Sequence, residues 1–310
     1  MKETMKLYDV IVLTEDRYES PNDLNLYNLQ VLLEDEYVVS ALKDKGLKVE
    51  RKSWSDPSVN WADTTCILFR STWDYFDRFP EFSEWLDRVS DETILLNSKE
   101  IIYWNLDKHY LSDLENKGVN CVETYYLEKG RSVRLEDFLA DLDIKNAIIK
   151  PCVSGAARHT YKLNSVTCAD YNETINDLLQ EEAFMVQPFQ ENIIKTGELS
   201  LIVMGGKYTH AVRKVAKQGD FRVQDDHGGV VLGYTPTEEE IQFAEKAVAA
   251  CNERPLYARV DMIRDNANKL AIMELELIEP ELFFRFYKPA ADRLADVIAQ
   301  RVQSVKSLTV

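Results

Sequence analysis

Two short runs, Leu256–Ile263 and Leu270–Ile278, carry three carboxylates that a hairpin would bring together. Side chains alternate along a strand, so Arg259, Asp261 and Ile263 share one face of the first run. Ile272, Glu274, Glu276 and Ile278 share one face of the second. Pairing Asp261 across from either Glu274 or Glu276 keeps that parity, with Asp265-Asn-Ala-Asn268 as the turn. Like charges directly opposed at about 5 Å repel. A divalent cation removes the repulsion, and hard oxygen ligands of this kind suit magnesium, or manganese in its place. The alternative is a solvated acidic face, but isoleucines bracket the triplet and the metal reading is favoured.

Magnesium held by carboxylates usually implies phosphate chemistry, so phosphate donors are required. Lys150 closes an apolar strand ahead of Cys152-Val-Ser-Gly-Ala-Ala157, and the amides around Ser154 and Gly155 can approach oxygen atoms. Neither GxxxxGK[ST] nor GxGxxG occurs, and a plain turn is the alternative reading. Lys108 alone would be a solvated helix lysine. The Gly205-Gly206 turn sets Glu198 opposite Arg213, as an exposed ion pair of little energetic weight or as a pair facing a nucleotide. Gly219–Gly229 then mixes basic, acidic and glycine residues in one loop.

The elements that must position these groups fall in two patterns. Tyr8–Leu13, a helix over 26–45 marked by Leu29, Leu32, Leu33, Tyr37 and Leu42, and Leu47–Trp54 read as strand, helix, strand. Cys66–Phe69 and Pro80–Val89 continue the alternation, which implies a parallel sheet with crossovers. Ligands of such sheets sit beyond the carboxyl ends of the strands, here the loops Thr14–Asn25 and Arg70–Arg78. Asp107–Lys117 is predicted as a helix, and Ala147–Lys150, Ala183–Pro188, Leu199–Met204 and Lys207–Val215 as strands. Thr235-Pro-Thr-Glu238 reads as a capping box opening a helix to about Cys251. The last twenty residues form an amphipathic packing helix. All five tryptophans lie between Trp54 and Trp104, and seven of eleven glycines between Gly197 and Gly233.

Composition bounds the function. The 310 residues allow two or three domains. A net charge of −16 argues against nucleic acid and against an anionic membrane surface as partners. No apolar run approaches a spanning helix and the N-terminus does not open a signal peptide. The five cysteines have no paired spacing, which fits a cytoplasmic protein, and CxxC and HExxH motifs are absent.

Taken in order, these pieces resemble the ATP-grasp superfamily of carboxylate–amine ligases from about Asn97 to Leu282. The spacing of Asp261, Glu274 and Glu276 is similar to the family's Asp, Glu, Asn magnesium triad, with Glu in the last place. The resemblance implies an α/β fold: a parallel-sheet pre-ATP-grasp domain over 1–104, a small lobe over 105–184 and a C-terminal lobe with the metal hairpin over 185–310. It implies ATP with one or two magnesium ions, Lys108 and Lys150 as nucleotide lysines, and Arg259 on the acyl phosphate. Phe184–Phe189 resembles the adenine strand, with Gln187 in place of a common glutamate, Phe189 beside it, and Glu198 as the ribose carboxylate. Ala211-Val-Arg-Lys, Phe221-Arg-Val-Gln and Gly228-Gly229 are similar to the glutathione-synthetase and ribosomal-protein glutamate ligase branch. That likeness assigns Arg213, Lys214 and Arg222 to the phosphates and leaves His227 unassigned. Leu68–Tyr75 with Asn97…Trp104-Asn-Leu-Asp-Lys108 resembles the D-cycloserine-forming ligases and their relatives more closely still.

The expected reaction has two steps. A carboxylate takes the γ-phosphoryl group of ATP, and an amine then displaces phosphate while loops Ser154–Thr160 and Gln218–Gly229 exclude water. Arg70 is read as holding a substrate carboxylate and Asp74 an ammonium, beside Trp73 and Tyr75; an aromatic core plug with a helix cap is the alternative. Thr14, Glu15 and Asp16 are weaker candidates on the same ground. A kinase that stops at the phosphorylated product and a non-catalytic ATP-binding regulator are the rival functions. The expected partners are small-molecule carboxylates and amines, with a peptide acceptor and a homodimer both compatible with the family.

Overall fold

The computed structural model describes residues 6–155, 158–217 and 228–308. Arg222 and His227 lie outside the described residues, as does most of the loop 218–229. The first sheet is parallel, in the order β2-β1-β3-β4, from β1 (Tyr8–Thr14), β2 (Val49–Ser53), β3 (Thr64–Ser71) and β4 (Ile94–Leu96). The second is antiparallel, β5-β8-β6-β7, from β5 (Tyr125–Leu127), β6 (Asn146–Pro151), β7 (Tyr161–Asn164) and β8 (Phe184–Pro188). The third runs β11-β10-β9-β12-β13, from β9 (Glu198–Met204), β10 (Lys207–Val215), β11 (Val230–Tyr234), β12 (Tyr257–Arg264) and β13 (Leu270–Glu276). A lobe boundary after residue 184 would cut β8, which pairs with β5 and β6; the middle lobe therefore runs through Pro188.

β1 and β3 are almost wholly buried, as expected of inner parallel strands covered on both faces. The helix Leu26–Asp44 starts where the Asn25 side chain accepts the Asn28 amide. Its inward face differs from the leucine pattern: Leu29 and Leu33 are 44% and 45% exposed, whereas Glu34 and Asp35 are buried. Tertiary hydrogen bonds explain the inversion. Glu34 accepts the amides of Leu282 and Phe284 at 2.8 and 3.0 Å, and Asp35 accepts Arg51 and Ser71. The C-terminal helix, Pro289–Leu308, buries Ala291, Leu294, Ala295, Ile298 and Val302 in the core shared with that helix. The predicted capping box is displaced by two residues. Thr237 caps the helix Glu238–Ala249 with Glu240 as its reciprocal partner, and Pro236 stands outside the helix.

A bulge at Tyr208/His210 shifts the β9–β10 ladder by one residue. His210 beside it is buried, and its Nε2 donates to the Leu282 carbonyl at 2.8 Å. Burial pushes its pKa down to about 4, so the folded imidazole is neutral. The unfolded chain takes up a proton near pH 6.5 that the folded one refuses, so this group stabilises above that pH and is lost on acidification. Between pH 7 and 5 it should cost the wild type about 2 kcal/mol. Urea unfolding of His210→Gln at both pH values should show that component missing, and an unchanged pH slope would refute it.

Candidate functional site

A cavity of about 830 Å³ is lined from all three sheets. The loops after β1 and β3 contribute Glu15–Tyr18 and Trp73–Asp77, at the carboxyl ends of parallel strands where ligands are expected. The second sheet adds Lys150, Ser154, Gly155, Gln187 and Phe189. The third adds Glu198, Lys214, Arg259, Asp261, Glu274 and Glu276.

The carboxylate hairpin forms in one of its two allowed registers, with Asp261 opposite Glu274 and Arg259 opposite Glu276. Two asparagines fix β13 and its extension to the preceding helices. Asn105 bonds the Leu275 carbonyl and the Leu277 amide at 2.7 and 2.8 Å, and Asn97 bonds the carbonyls of Tyr257 and Leu277. Without metal, the three carboxylates are met by cations. Lys214 Nζ lies 2.9 Å from Asp261 and also pairs with Glu198, while Arg259 spans Asp261 and Glu276. Lys108 Nζ lies 3.2 Å from Glu274 and donates to the Ser154 carbonyl at 2.7 Å. Ser200 on the neighbouring strand donates to Asp261 at 2.5 Å.

Charge states follow from this crowding. Burial opposes ionisation of Asp261, but Arg259 and Lys214 hold it below the usual carboxylate range. Burial likewise opposes Glu274, and Lys108 with Lys150 holds it low. At Glu276 burial wins over Arg259 and pushes the carboxyl up to about 8. Lys150 is pulled down by burial, partly offset by Glu274. The three carboxylates are hard oxygen donors of the kind magnesium takes, and here Lys214, Arg259 and Lys108 pair with them.

The register decides between Arg213 and Lys214. Because of the bulge, Glu198 faces Lys214 and not Arg213, which pairs with Leu199. Arg213 falls on the opposite face of β10, stacked 4.4 Å over the Tyr234 ring and outside the cavity lining. Of the two, Lys214 and not Arg213 lines the cavity. Gly197 permits this close packing: its φ is +77°, and a Cβ there would meet the Lys214 carbonyl.

Arg70 is also corrected. It is 2% exposed, donates to the Pro280 carbonyl at 2.9 Å and lies 3.5 Å from Glu34, away from the large cavity. It positions the wall that follows β13 and does not reach a substrate there. Gly228 and Gly229 are likewise absent from the lining. Trp73, Asp74 and Tyr75 do face the cavity. Asp74 is held by Trp54 Nε1 at 2.7 Å and Arg78 at 2.8 Å, and Trp73 Nε1 donates to the Glu279 carbonyl at 2.9 Å. Gly155 backs onto Phe76, whose ring a Cβ would meet at 2.5 Å, so the small-residue loop and the loop after β3 touch.

Several lining residues carry no sequence signal that period or motif could expose. Ile148, Ile193, Met273 and Leu275 supply apolar surface near Gln187 and Phe189, and Gln187 donates to Thr124 at 2.9 Å. Glu279 and Glu281 extend the acidic run past the strand end, which the sequence shows as Glu279-Pro-Glu281. The five cysteines are free and buried, and burial pushes the Cys152 thiol up to about 12. Among the described residues no helix is long and apolar enough to cross a membrane.

Residues 10–97 match a family model described as the D-cycloserine synthetase DcsG N-terminal domain, and residues 134–279 one described as the RimK-like ATP-grasp domain. Over 305 residues the chain is 28% identical to the cycloserine biosynthesis protein DcsG of Streptomyces lavendulae, covering 95% of this chain and 99% of that protein. The crystal structure of D-cycloserine synthetase DcsG superposes with a TM-score of 0.83 at 25% identity, over 94% of this chain and 99% of that one. D-alanine–D-alanine ligase from Bacillus anthracis, complexed with ATP, shares the fold at a TM-score of 0.63 and 13% identity, over 98% and 100% of the two chains. The ligase PsnB, complexed with a minimal precursor, Mg and ADP, does so at 0.59 and 15%, over 95% and 98%.

Proposed function

We propose that this chain, which belongs to the ATP-grasp ligases that form carbon–nitrogen bonds with ATP, joins a small amino-acid-like carboxylate to an amine through an acyl phosphate. The carrying observation is the convergence in one cavity of Asp261, Glu274 and Glu276 with Lys108, Lys150, Lys214 and Arg259. Magnesium or manganese, as one ion or two, bound by the three carboxylates would neutralise phosphate charge.

Lys108 and Lys150 hold the ATP phosphates, with Ser154 and Gly155 amides beside them. Gln187, Phe189 and the apolar residues around them take the base, and Glu198 the ribose. The substrate carboxylate attacks the γ-phosphorus in line, ADP leaves, and positioning with charge neutralisation lowers the barrier. The amine then adds to the acyl carbon, phosphate departs, and Arg259 steadies the oxyanion. Asp74 and Glu15 also line the cavity. Glu15 is 2% exposed; its Oε1 pairs with Arg17 at 2.5 Å, and its Oε2 has no hydrogen-bond partner. A carboxylate left so invites an ammonium group.

The domain limits carried forward are 1–104, 105–188 and a C-terminal lobe to 310. A cytoplasmic location and a homodimer complete the reading, the latter checked by sedimentation. The decisive test combines ATP, magnesium and pools of amino acids and analogues, with free phosphate and product mass followed together. Phosphate release with a product one water lighter than its combined substrates supports the ligase. A stable phosphorylated product would replace it with a kinase, and ATP binding without turnover with a regulator.

A further inference from the structure

We propose that Glu279 anchors the ammonium group of the carboxylate substrate, so that this enzyme selects amino acids over hydroxy acids. The inference rests on the ligase reading above and deepens it.

Glu279 lies three residues beyond Glu276, on the wall of the same cavity. Its backbone is fixed from three directions. The Ile278 carbonyl accepts Tyr257 Oη at 2.6 Å, the Glu279 carbonyl accepts Trp73 Nε1 at 2.9 Å, and the Pro280 carbonyl accepts Arg70 at 2.9 Å. The side chain lies against the Tyr75 hydroxyl. Binding sites on such fixed backbone hold a ligand group with little reorganisation.

What distinguishes Glu279 is the absence of a cation. Apart from exposed Asp16 and Asp77, every other acidic residue lining the cavity has a lysine or arginine within 4.0 Å. Glu279 has none among the described residues. Glu279 is only partly shielded from solvent, and an arriving ammonium supplies the positive partner that its carboxylate lacks within 4.0 Å. Burial pushes Glu279 up to about 7, against the Tyr75 hydroxyl. The Cα atoms of Glu276 and Glu279 are separated by at most about 10 Å of chain. A small amino acid with a hydrogen bond of about 3 Å at each end fits within that interval, its carboxyl toward the hairpin carboxylates and its ammonium toward Glu279. Glu15, Asp74 and Glu281 on the same cavity are already paired with Arg17, Arg78 and Arg285.

The test uses hydroxylamine as a generic amine, which converts any acyl phosphate into a hydroxamate without knowledge of the natural acceptor. Proteinogenic amino acids of both enantiomers are compared with their 2-hydroxy-acid counterparts, using ATP and magnesium. The wild type should prefer the amino acid by about 100-fold in kcat/KM, within the range of a charge-assisted hydrogen bond. Glu279→Gln should bring that ratio to within about threefold of unity with AMP-PNP affinity retained, and Tyr75→Phe should narrow it partly. A ratio unchanged in Glu279→Gln, or a wild type that activates hydroxy acids equally, overturns the proposal. If no pool yields hydroxamate although AMP-PNP binds, the ligase reading fails first. The same pools are then compared by thermal stabilisation in the presence of AMP-PNP. Stabilisation by amino acids that is lost in Glu279→Gln sustains the anchor; equal or absent stabilisation refutes it.

Discussion

Arg259→Lys is expected to slow ligation about 10²–10³-fold, the usual effect of removing one donor to a developing oxyanion, while ATP binding changes little. The guanidinium is only 11% exposed and is shared between Asp261 and Glu276, with a longer contact to the Glu281 carbonyl at 3.4 Å. It thus stands between the hairpin carboxylates and the wall that carries Glu279 and Glu281. Lysine keeps the charge but not the planar fork, so it cannot hold both carboxylates and still present a donor. Arg259→Met should lose more and also destabilise the fold, because Asp261, 2% exposed, would lose one of its two cations. Hydroxamate and ADP formation under single-turnover conditions, with denaturant unfolding as control, read the two effects separately. If Arg259→Lys ligates at the wild-type rate, Arg259 has no role in the chemical steps.

Asp261→Asn with Glu274→Gln should abolish turnover, by about 10³-fold or more, and remove the magnesium dependence of ATP binding. The two carboxylates face each other across the hairpin, and both are held ionised, by Arg259 and Lys214 at one and Lys108 and Lys150 at the other. With both neutralised those four cations remain, so ATP should still bind, but without preference for its magnesium complex. Glu276→Gln keeps an oxygen donor and should cost less than either single change. Calorimetric ATP titration with and without magnesium checks the point; magnesium-linked binding that survives in the double variant would move the metal elsewhere.

The acidic hairpin was readable in advance because strand alternation has a period of two, and either register put all three carboxylates on one face. Lys150 and Trp73–Tyr75 stand at or just beyond an element whose end the local sequence marks, whereas Lys108 was singled out only by the resemblance. The resemblance joined these fragments into one site before any distance was known. What failed did so on particular contacts. One extra residue at Tyr208/His210 exchanged Arg213 for Lys214, since a single-residue slip turns every side chain to the other face. Arg70 looked like a substrate arginine until Glu34 and the Pro280 carbonyl enclosed it.

The sequence by itself determined the strand and helix order, the acidic hairpin and the class of chemistry, because these depend on neighbours within a few residues. Only the tertiary structure decided which cations meet which carboxylates, and which acid is left without one. Those outcomes depend on groups some 40 to 250 residues apart, such as Lys214 with Asp261 and Glu34 with Phe284. Their pairing is settled by burial, where an unpaired charge is expensive, and no local pattern records it.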